Sequence, residues 1–242
     1  MAPRVLVLFA RAPRSEALGK GLDAASGERL FAAFAKAWID AAKTCGARVV
    51  VATPSGDRPA WRRALTGARF EFLEQRGSSL GRRLEDSARK AAATGGCVVL
   101  VGGDVAPSAH SLAAAFELRE GAADAVISPA GDGGVSLVSL RKEDLDLLAR
   151  FVPRASDVFF RLSRALALRG RRVAVVAPAH DVDGRRELGR LLRTTAFPSF
   201  ELEALARAVL DEKCWSPGRL APRFASLLHV EPHASRGPPR AA

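Results

Sequence analysis

The stretch Cys97-Val-Val-Leu-Val-Gly-Gly-Asp104 is an unbroken apolar run that stops on two glycines and a single carboxylate. A run this short, bounded by turn residues, reads as a strand buried on both faces of a largely parallel sheet. In open α/β sheets, ligands bind beyond the carboxyl ends of such strands. Asp104 is therefore expected where a metal–phosphate ligand would lie, and the glycines beside it let a bulky group approach the backbone. One helix and one strand later, Ser128-Pro-Ala-Gly-Asp-Gly-Gly134 again sets an aspartate among glycines after an apolar run.

The flanking pattern supplies the rest of such a sheet. Strands are expected at 4–9, 48–53, 69–73, 97–101, 125–128, 135–140 and 173–176, with 10–25 as a loop. Leu30, Phe31, Phe34, Trp38 and Ala41 recur at helical spacing over 27–43, and Ser26 is the expected N-cap. Trp61 and Leu65 mark a short helix. Leu80, Leu84, Ala88 and Ala91 form the stripe of another, with Ser78 or Ser79 capping it. Ser108 caps a helix carrying Leu112, Ala115 and Phe116. Further helices are expected at 142–150, 156–169 (ending at Gly170), 185–193 and 200–212. The link between 128 and 135 is too short for a parallel crossover, so that pair is antiparallel and the sheet mixed. Alternating strands and helices predict a three-layer α/β/α sandwich with a mostly parallel, Rossmann-like sheet. Residues 1–195 form this domain, 196–230 a C-terminal helical extension, and 231–242, rich in Pro, Gly, Ser and Arg, a disordered tail.

Composition narrows the function classes. The net charge of +11 invites nucleic acid as a partner. However, the arginines are spread over most helices, and there is no tyrosine to build stacking platforms. An anionic small molecule suits the charge equally well. No apolar segment reaches the roughly 20 residues of a membrane span, and no signal peptide is evident. Cys45, Cys97 and Cys214 show neither metal-ligand nor disulfide spacing. A soluble, cytoplasmic protein is expected, with its oligomeric state open.

Three acidic loops follow strands and carry Asp104, Asp132, and Asp181 with Asp183. Oxygen donors at several strand ends are what Mg²⁺ or Mn²⁺ bound to a diphosphate requires. The bland alternative is that these aspartates only shape turns. After the first strand come Arg11, Arg14 and Lys20, suited to phosphate, although Gly19-Lys-Gly21 is not a Walker motif. Arg76, Arg82 and Arg83 surround the helix start after Gln75 and could hold an anion. His180 lies in the last acidic loop and His110 at a helix start. No Ser–His–Asp or Cys–His arrangement can be assembled, and no catalytic base is assigned.

From about Val5 to Leu192 the chain resembles a bacterial family of GT-A-like glycosyltransferases. The family was formerly catalogued as a domain of unknown function, and some members are named for arsenosugar biosynthesis. It is related in fold to the guanylyltransferases that make molybdenum-cofactor dinucleotides and phospholactate–guanosine intermediates. The resemblance is carried by Leu8-Phe-Ala-Arg-Ala-Pro13, Gln75-Arg-Gly-Ser-Ser-Leu-Gly-Arg-Arg-Leu84, Val99-Leu-Val-Gly-Gly-Asp104, Ser128-Pro-Ala-Gly-Asp-Gly-Gly134 and His180-Asp-Val-Asp183. It implies a metal-dependent transferase using a nucleotide sugar or a nucleoside triphosphate. Asp104 and Asp183 would hold the Mg²⁺ or Mn²⁺. Arg11, Lys20, Gly103, Asp132, Gly133 and Gly134 would line the nucleotide and sugar pocket.

The chain also departs from the family pattern on its ligand side. Where the family carries Gly-Arg-Val-Lys-Thr-Arg-Leu, it reads Glu16-Ala-Leu-Gly-Lys-Gly-Leu22, so the family lysine falls on Gly19. Ser-Asp-Cys-Pro becomes Gly103-Asp-Val-Ala106, and Glu-Asp-Gly-Gly-Tyr becomes Gly131-Asp-Gly-Gly-Val135. The element Pro153-Arg-Ala-Ser156 lacks its tryptophan. Three alternatives therefore stand: a glycosyltransferase of weakened or altered activity, a nucleotidyltransferase, or an inactive GT-A-like binding or scaffold protein. Convergence of Asp104, Asp132 and Asp183 near Lys20 would favour an enzyme.

Overall fold

The computed structural model describes residues 3–94, 96–150, 156–194 and 197–211. Strands β1 (Arg4–Phe9), β2 (Arg48–Thr53), β3 (Glu71–Glu74), β4 (Cys97–Gly102), β5 (Ala125–Pro129), β6 (Val135–Leu140) and β7 (Val173–Val175) form one sheet of order β3-β2-β1-β4-β6-β5-β7. Only β6 runs antiparallel to its neighbours. The expected mixed, mostly parallel α/β sheet is thus the one found, with β4 at its centre. Phe9 pairs with Gly102, so β1 and β4 end side by side.

The apolar runs show no alternation because both faces of the sheet are covered. Leu6, Leu8, Val51, Val99 and Val101 face one layer, formed by Trp38 of α2 (Ala24–Thr44), Trp61 of α3 (Arg58–Ala64) and Phe116 of α5 (Ala109–Glu120). Val5, Val7, Val98 and Leu100 face the other, with Ala88 and Ala91 of α4 (Leu80–Ala91) and Leu162 and Leu166 of α6 (Val158–Leu168). Buried Leu and Phe side chains contribute about 1.5–3 kcal/mol each, so two continuous layers of them fix the strand order. A third cluster joins α1 (Pro13–Gly19) and α2 to α7 (Arg185–Thr194) and α8 (Phe200–Asp211) through Ala17, Phe34, Leu188, Leu191 and Ala206.

Three local expectations change. The 10–25 stretch is not all loop: α1 starts on Pro13, whose fixed φ suits a first helical turn. With Ala17 as its main apolar anchor, so short a helix leaves no periodic stripe to detect. The N-cap of α2 is Asp23, whose Oδ1 accepts from the N–H groups of Ala25 and Ser26 at 2.8 and 2.9 Å. The 142–150 helix is 3₁₀ throughout. Ser79 and Ser108 cap as expected, accepting from Arg82 N and Ser111 N, and Gly170 takes φ +69°. The expected tail at 231–242 lies outside the described residues, as does Pro153. Among the described residues, no helix is long and apolar enough to cross a membrane.

Candidate functional site

The loops after β1, β4, β5 and β7 leave the sheet at one edge, because those strands are mutually parallel. The chain from Ala179 to Val182 is laced into that edge by its backbone. Ala179 N donates to Pro129 O at 3.3 Å, Ala106 N to His180 O at 2.8 Å and Val182 N to Asp104 O at 3.0 Å. Val182 is completely buried. In extended backbone, alternate residues face opposite sides, so burying Val182 turns Asp181 and Asp183 together away from the core.

Asp132 comes from the β5–β6 turn. Its Oδ1 accepts from Gly134 N at 2.7 Å. Gly133 sits at φ +87°, and a Cβ there would lie 2.0 Å from Ser156 O. Phe159 N donates to Gly133 O at 3.1 Å, which ties the turn to the start of α6. Held this way, Asp132, Asp181 and Asp183 each offer an oxygen, all within 4.8 Å of one another.

Asp104 meets a different partner. Gly103 lets the loop after β4 close on β1, since a Cβ there would approach Ala10 Cβ to 2.4 Å. Val105 O accepts from the buried Trp38 indole at 3.0 Å, fixing the loop to α2. Lys20, at the C-terminus of α1, bonds Asp104 Oδ2 at 2.6 Å and also bonds Asp183 Oδ1, with Glu16 Oε1 at 3.9 Å. Burial disfavours its ammonium, but Asp104 and Asp183 reverse that and hold it protonated well above the usual lysine range. Arg11 is engaged by Glu16 at 3.1 Å rather than by the aspartates.

Of the residues expected from sequence, Lys20, Asp104, Asp183 and Asp132 converge. Gly133 and Gly134 shape the turn that presents Asp132. At Gly19, where the resemblance would place a lysine, a Cβ would come within 2.6 Å of the Arg11 guanidinium, so a side chain there would displace the tip of Arg11. Lys20 reaches the carboxylates from the next position. Asp181 was not singled out as a ligand, and its signal is the alternation of two aspartates about a buried valine. His110 is exposed on α5, and the His180 imidazole is not part of the carboxylate group.

The group is electrostatically unbalanced. Arg11 and Lys20 face five carboxylates: Glu16, Asp104, Asp132, Asp181 and Asp183. Burial first, and then the charges of Asp132, Asp183 and Asp104, push the Asp181 carboxyl up to about 6. A divalent cation would remove that repulsion. Oxygens sharing one Mg²⁺ at its bond length lie no more than about 4.2 Å apart, so small side-chain rotations bring these three to ligand distance. Hard oxygen donors of this kind suit Mg²⁺ or Mn²⁺.

A cleft of about 340 Å³ opens beside Asp104, between Phe9, Gln75, Arg83, Leu84 and Gly102. A larger hollow of about 1020 Å³ lies at the opposite edge of the sheet, near Lys43, Arg48 and Phe70, and contains none of the strand-end carboxylates. The chemistry favours the smaller cleft.

Residues 37–152 match the family described as "Uncharacterized protein conserved in bacteria (DUF2064)", within the stretch that carries the resemblance. No curated protein matches the chain. Among solved structures, it is similar to a Desulfovibrio desulfuricans G20 protein described as a nucleotide-diphospho-sugar transferase. That pair shares 24% identity over 86% of this chain and 95% of the other, with a TM-score of 0.73. A Bacillus anthracis protein described as a glucose-1-phosphate thymidylyltransferase gives 12% identity over 81% and 98%, with a TM-score of 0.54. The inositol-1-phosphate CTP transferase from T. maritima gives 12% identity over 87% and 97%, with a TM-score of 0.52. The fold is that of the nucleotide-diphospho-sugar transferases, as expected for a GT-A-like chain.

Proposed function

We propose that this chain is a divalent-cation-dependent transferase that takes a nucleotide sugar as donor. The observation that carries the reading is the meeting of Asp132, Asp181 and Asp183 within 4.8 Å at a strand edge that also holds Lys20 and Asp104. Mg²⁺ or Mn²⁺ bound by these three carboxylates would act as a Lewis acid on the diphosphate leaving group. Lys20, and Arg11 once released from Glu16, would hold the phosphate oxygens through charge-assisted hydrogen bonds. Gly103 keeps the backbone accessible beside Asp104, and the Gly133–Gly134 turn aims Asp132. The names of the structural neighbours, which include both sugar-nucleotide and nucleotidyl transferases, are compatible with this chemistry. Transfer of a nucleotidyl group from a nucleoside triphosphate would draw on the same residues.

One observation favours a second reading. The Lys20 ammonium already bridges Asp104 and Asp183, which would suit a GT-A-like binding protein that has internalised its cation. Calorimetric titration with UDP-sugars, GDP-sugars and nucleoside triphosphates, with and without Mn²⁺, separates the two. The transferase requires nucleotide binding that depends on Mn²⁺ and weakens at least tenfold in Asp183→Ala and Asp104→Ala. Absence of nucleotide affinity under every metal condition would leave only the binding protein. Turnover of sugar nucleotides against triphosphates then identifies the transferred group.

A further inference from the structure

The hollow of about 1020 Å³ sits where β2 and β3 begin, between the last turns of α2 and the 64–71 stretch that leads into β3. Its size lies at the upper end of the range of about 300–1,000 Å³ for small-molecule sites. Its floor is apolar. Ile39, Val49 and Leu65 are buried there, and the half-buried Phe70 packs against the same core. Phe72 holds the Phe70 ring edge to face, with 5.1 Å between centroids, so the ring offers a fixed apolar surface.

Four cations and two carboxylates also line this hollow. Lys36 takes Asp40 at 3.9 Å, and Arg48 takes Glu71 at 2.8 Å. Lys43, in the last turn of α2, and Arg69, just ahead of β3, have no carboxylate partner among the described residues. The stretch 58–70 strengthens the positive field, since it holds four arginines and no Asp or Glu. A bare inorganic ion would gain nothing from the apolar floor. An uncharged apolar molecule would leave both cations without a partner. Only a ligand with an apolar body and an anionic head uses both parts. The planar fork of Arg69 matches a carboxylate or phosphate through two hydrogen bonds, and Lys43 adds a point charge.

We infer that this hollow binds an organic anion, an extended apolar body that ends in a carboxylate or a phosphate. Arg69 and Lys43 hold the head, and the body lies against Ile39, Leu65 and Phe70. The site shares no residue with the carboxylate edge, and it stands whether or not the transferase reading does.

The test is calorimetry on the full chain with octanoate and octyl phosphate as probes. Inorganic phosphate and octanol present the head and the body alone. The proteins are the wild type, Arg69→Met, Lys43→Met, and Arg63→Met, an exposed arginine of α3 outside the hollow that controls for general attraction to a basic surface. Asp183→Ala controls for binding at the strand edge, and thermal melts confirm that each variant folds. An octyl probe should bind the wild type, Arg63→Met and Asp183→Ala alike. It should bind Arg69→Met and Lys43→Met about fivefold more weakly, the loss of a partly exposed charge pair. Phosphate and octanol should each bind the wild type more weakly than that probe by about tenfold or more. The octyl probe that binds more tightly names the head as carboxylate or phosphate. No binding of either octyl probe overturns the inference, and so does unchanged affinity in Arg69→Met or Lys43→Met. Equal losses in Arg63→Met and Arg69→Met would mean attraction to the whole basic surface and overturn it as well. Octanol or phosphate binding as tightly as the octyl probe, or a loss in Asp183→Ala, would do the same.

Discussion

Lys20 Nζ lies 2.6 Å from Asp104 Oδ2 and bonds Asp183 Oδ1 at the same time. An ammonium thus occupies the space between two of the carboxylates that sequence reasoning assigned to a metal. Asp183 also belongs to the group with Asp132 and Asp181. A cation binding to that group must therefore compete with Lys20 for Asp183.

The competition has a counterintuitive consequence. Lys20→Met should tighten Mn²⁺ binding in the absence of nucleotide by about tenfold, a change of about 1.4 kcal/mol. The same variant should weaken Mn²⁺-dependent nucleotide binding, because a phosphate ligand is lost. Calorimetry on both ligands reads the two effects separately. Mn²⁺ affinity that stays level or falls in Lys20→Met would show that the lysine supports the metal site instead of competing with it.

Asp181 gives the metal-free protein a pH signature. Burial and its acidic neighbours raise its carboxyl to about 6 in the folded chain, against about 3.9 in an unfolded one. Between those values the folded state binds more protons, so stability falls as pH rises through about 6. The full shift would amount to about 3 kcal/mol, and solvent screening at this half-exposed group reduces it to about 1 kcal/mol. Asp181→Asn should therefore raise the metal-free Tm at pH 7.5 by about 2–4 °C and abolish the stabilisation that Mn²⁺ gives the wild type. A variant no more stable than wild type at pH 7.5 would contradict the assigned repulsion.

The sheet and the acidic edge were readable in advance for a physical reason. Strands such as Val5–Leu8 and Val98–Val101 are buried on both faces, so each is apolar throughout, and the residue that ends the run marks the ligand edge. The short helix α1 escaped notice because it is held by a starting proline and a few local contacts rather than an apolar stripe. Which cation faces which carboxylate was also out of reach. It depends on the backbone bonds from Ala106 and Val182 that draw 179–182 across Asp104, and such pairings leave no mark in residue spacing.

Gly133 is the point where the metal group depends on backbone freedom. Its φ of +87° and the Ser156 carbonyl on its side-chain face leave no room for a Cβ. Gly133→Ala should cost about 2–3 kcal/mol in urea unfolding, from backbone strain together with displacement of the turn, and should also weaken Mn²⁺ binding by moving Asp132. Gly131 faces open space, so Gly131→Ala should stay within about 0.5 kcal/mol of wild type. Similar losses in both variants would mean that the turn is generally fragile and that Gly133 has no special place in it.

Asp124, at the far end of β5, works in the opposite direction from Asp181. Arg172 donates to it from its backbone N–H at 2.8 Å and from its side chain at 3.3 Å, and Arg141 adds a further ion pair. The backbone bond foremost, then the Arg172 side chain, holds the Asp124 carboxyl down to about 2. A depressed carboxylate stabilises the fold above its unfolded pKa and loses that contribution as pH falls through its folded one. Asp124→Asn should thus lower Tm at pH 7, with the difference from wild type shrinking below about pH 4 and gone near pH 2. Because Asp181→Asn acts with the opposite sign and mainly above pH 4, the double variant should fall below the wild-type Tm between about pH 2 and pH 4 and regain part of that difference between about pH 4 and pH 6. Melts at half-unit intervals would reveal this dip and recovery, and a constant offset across the whole range would rule out both titrations as its cause.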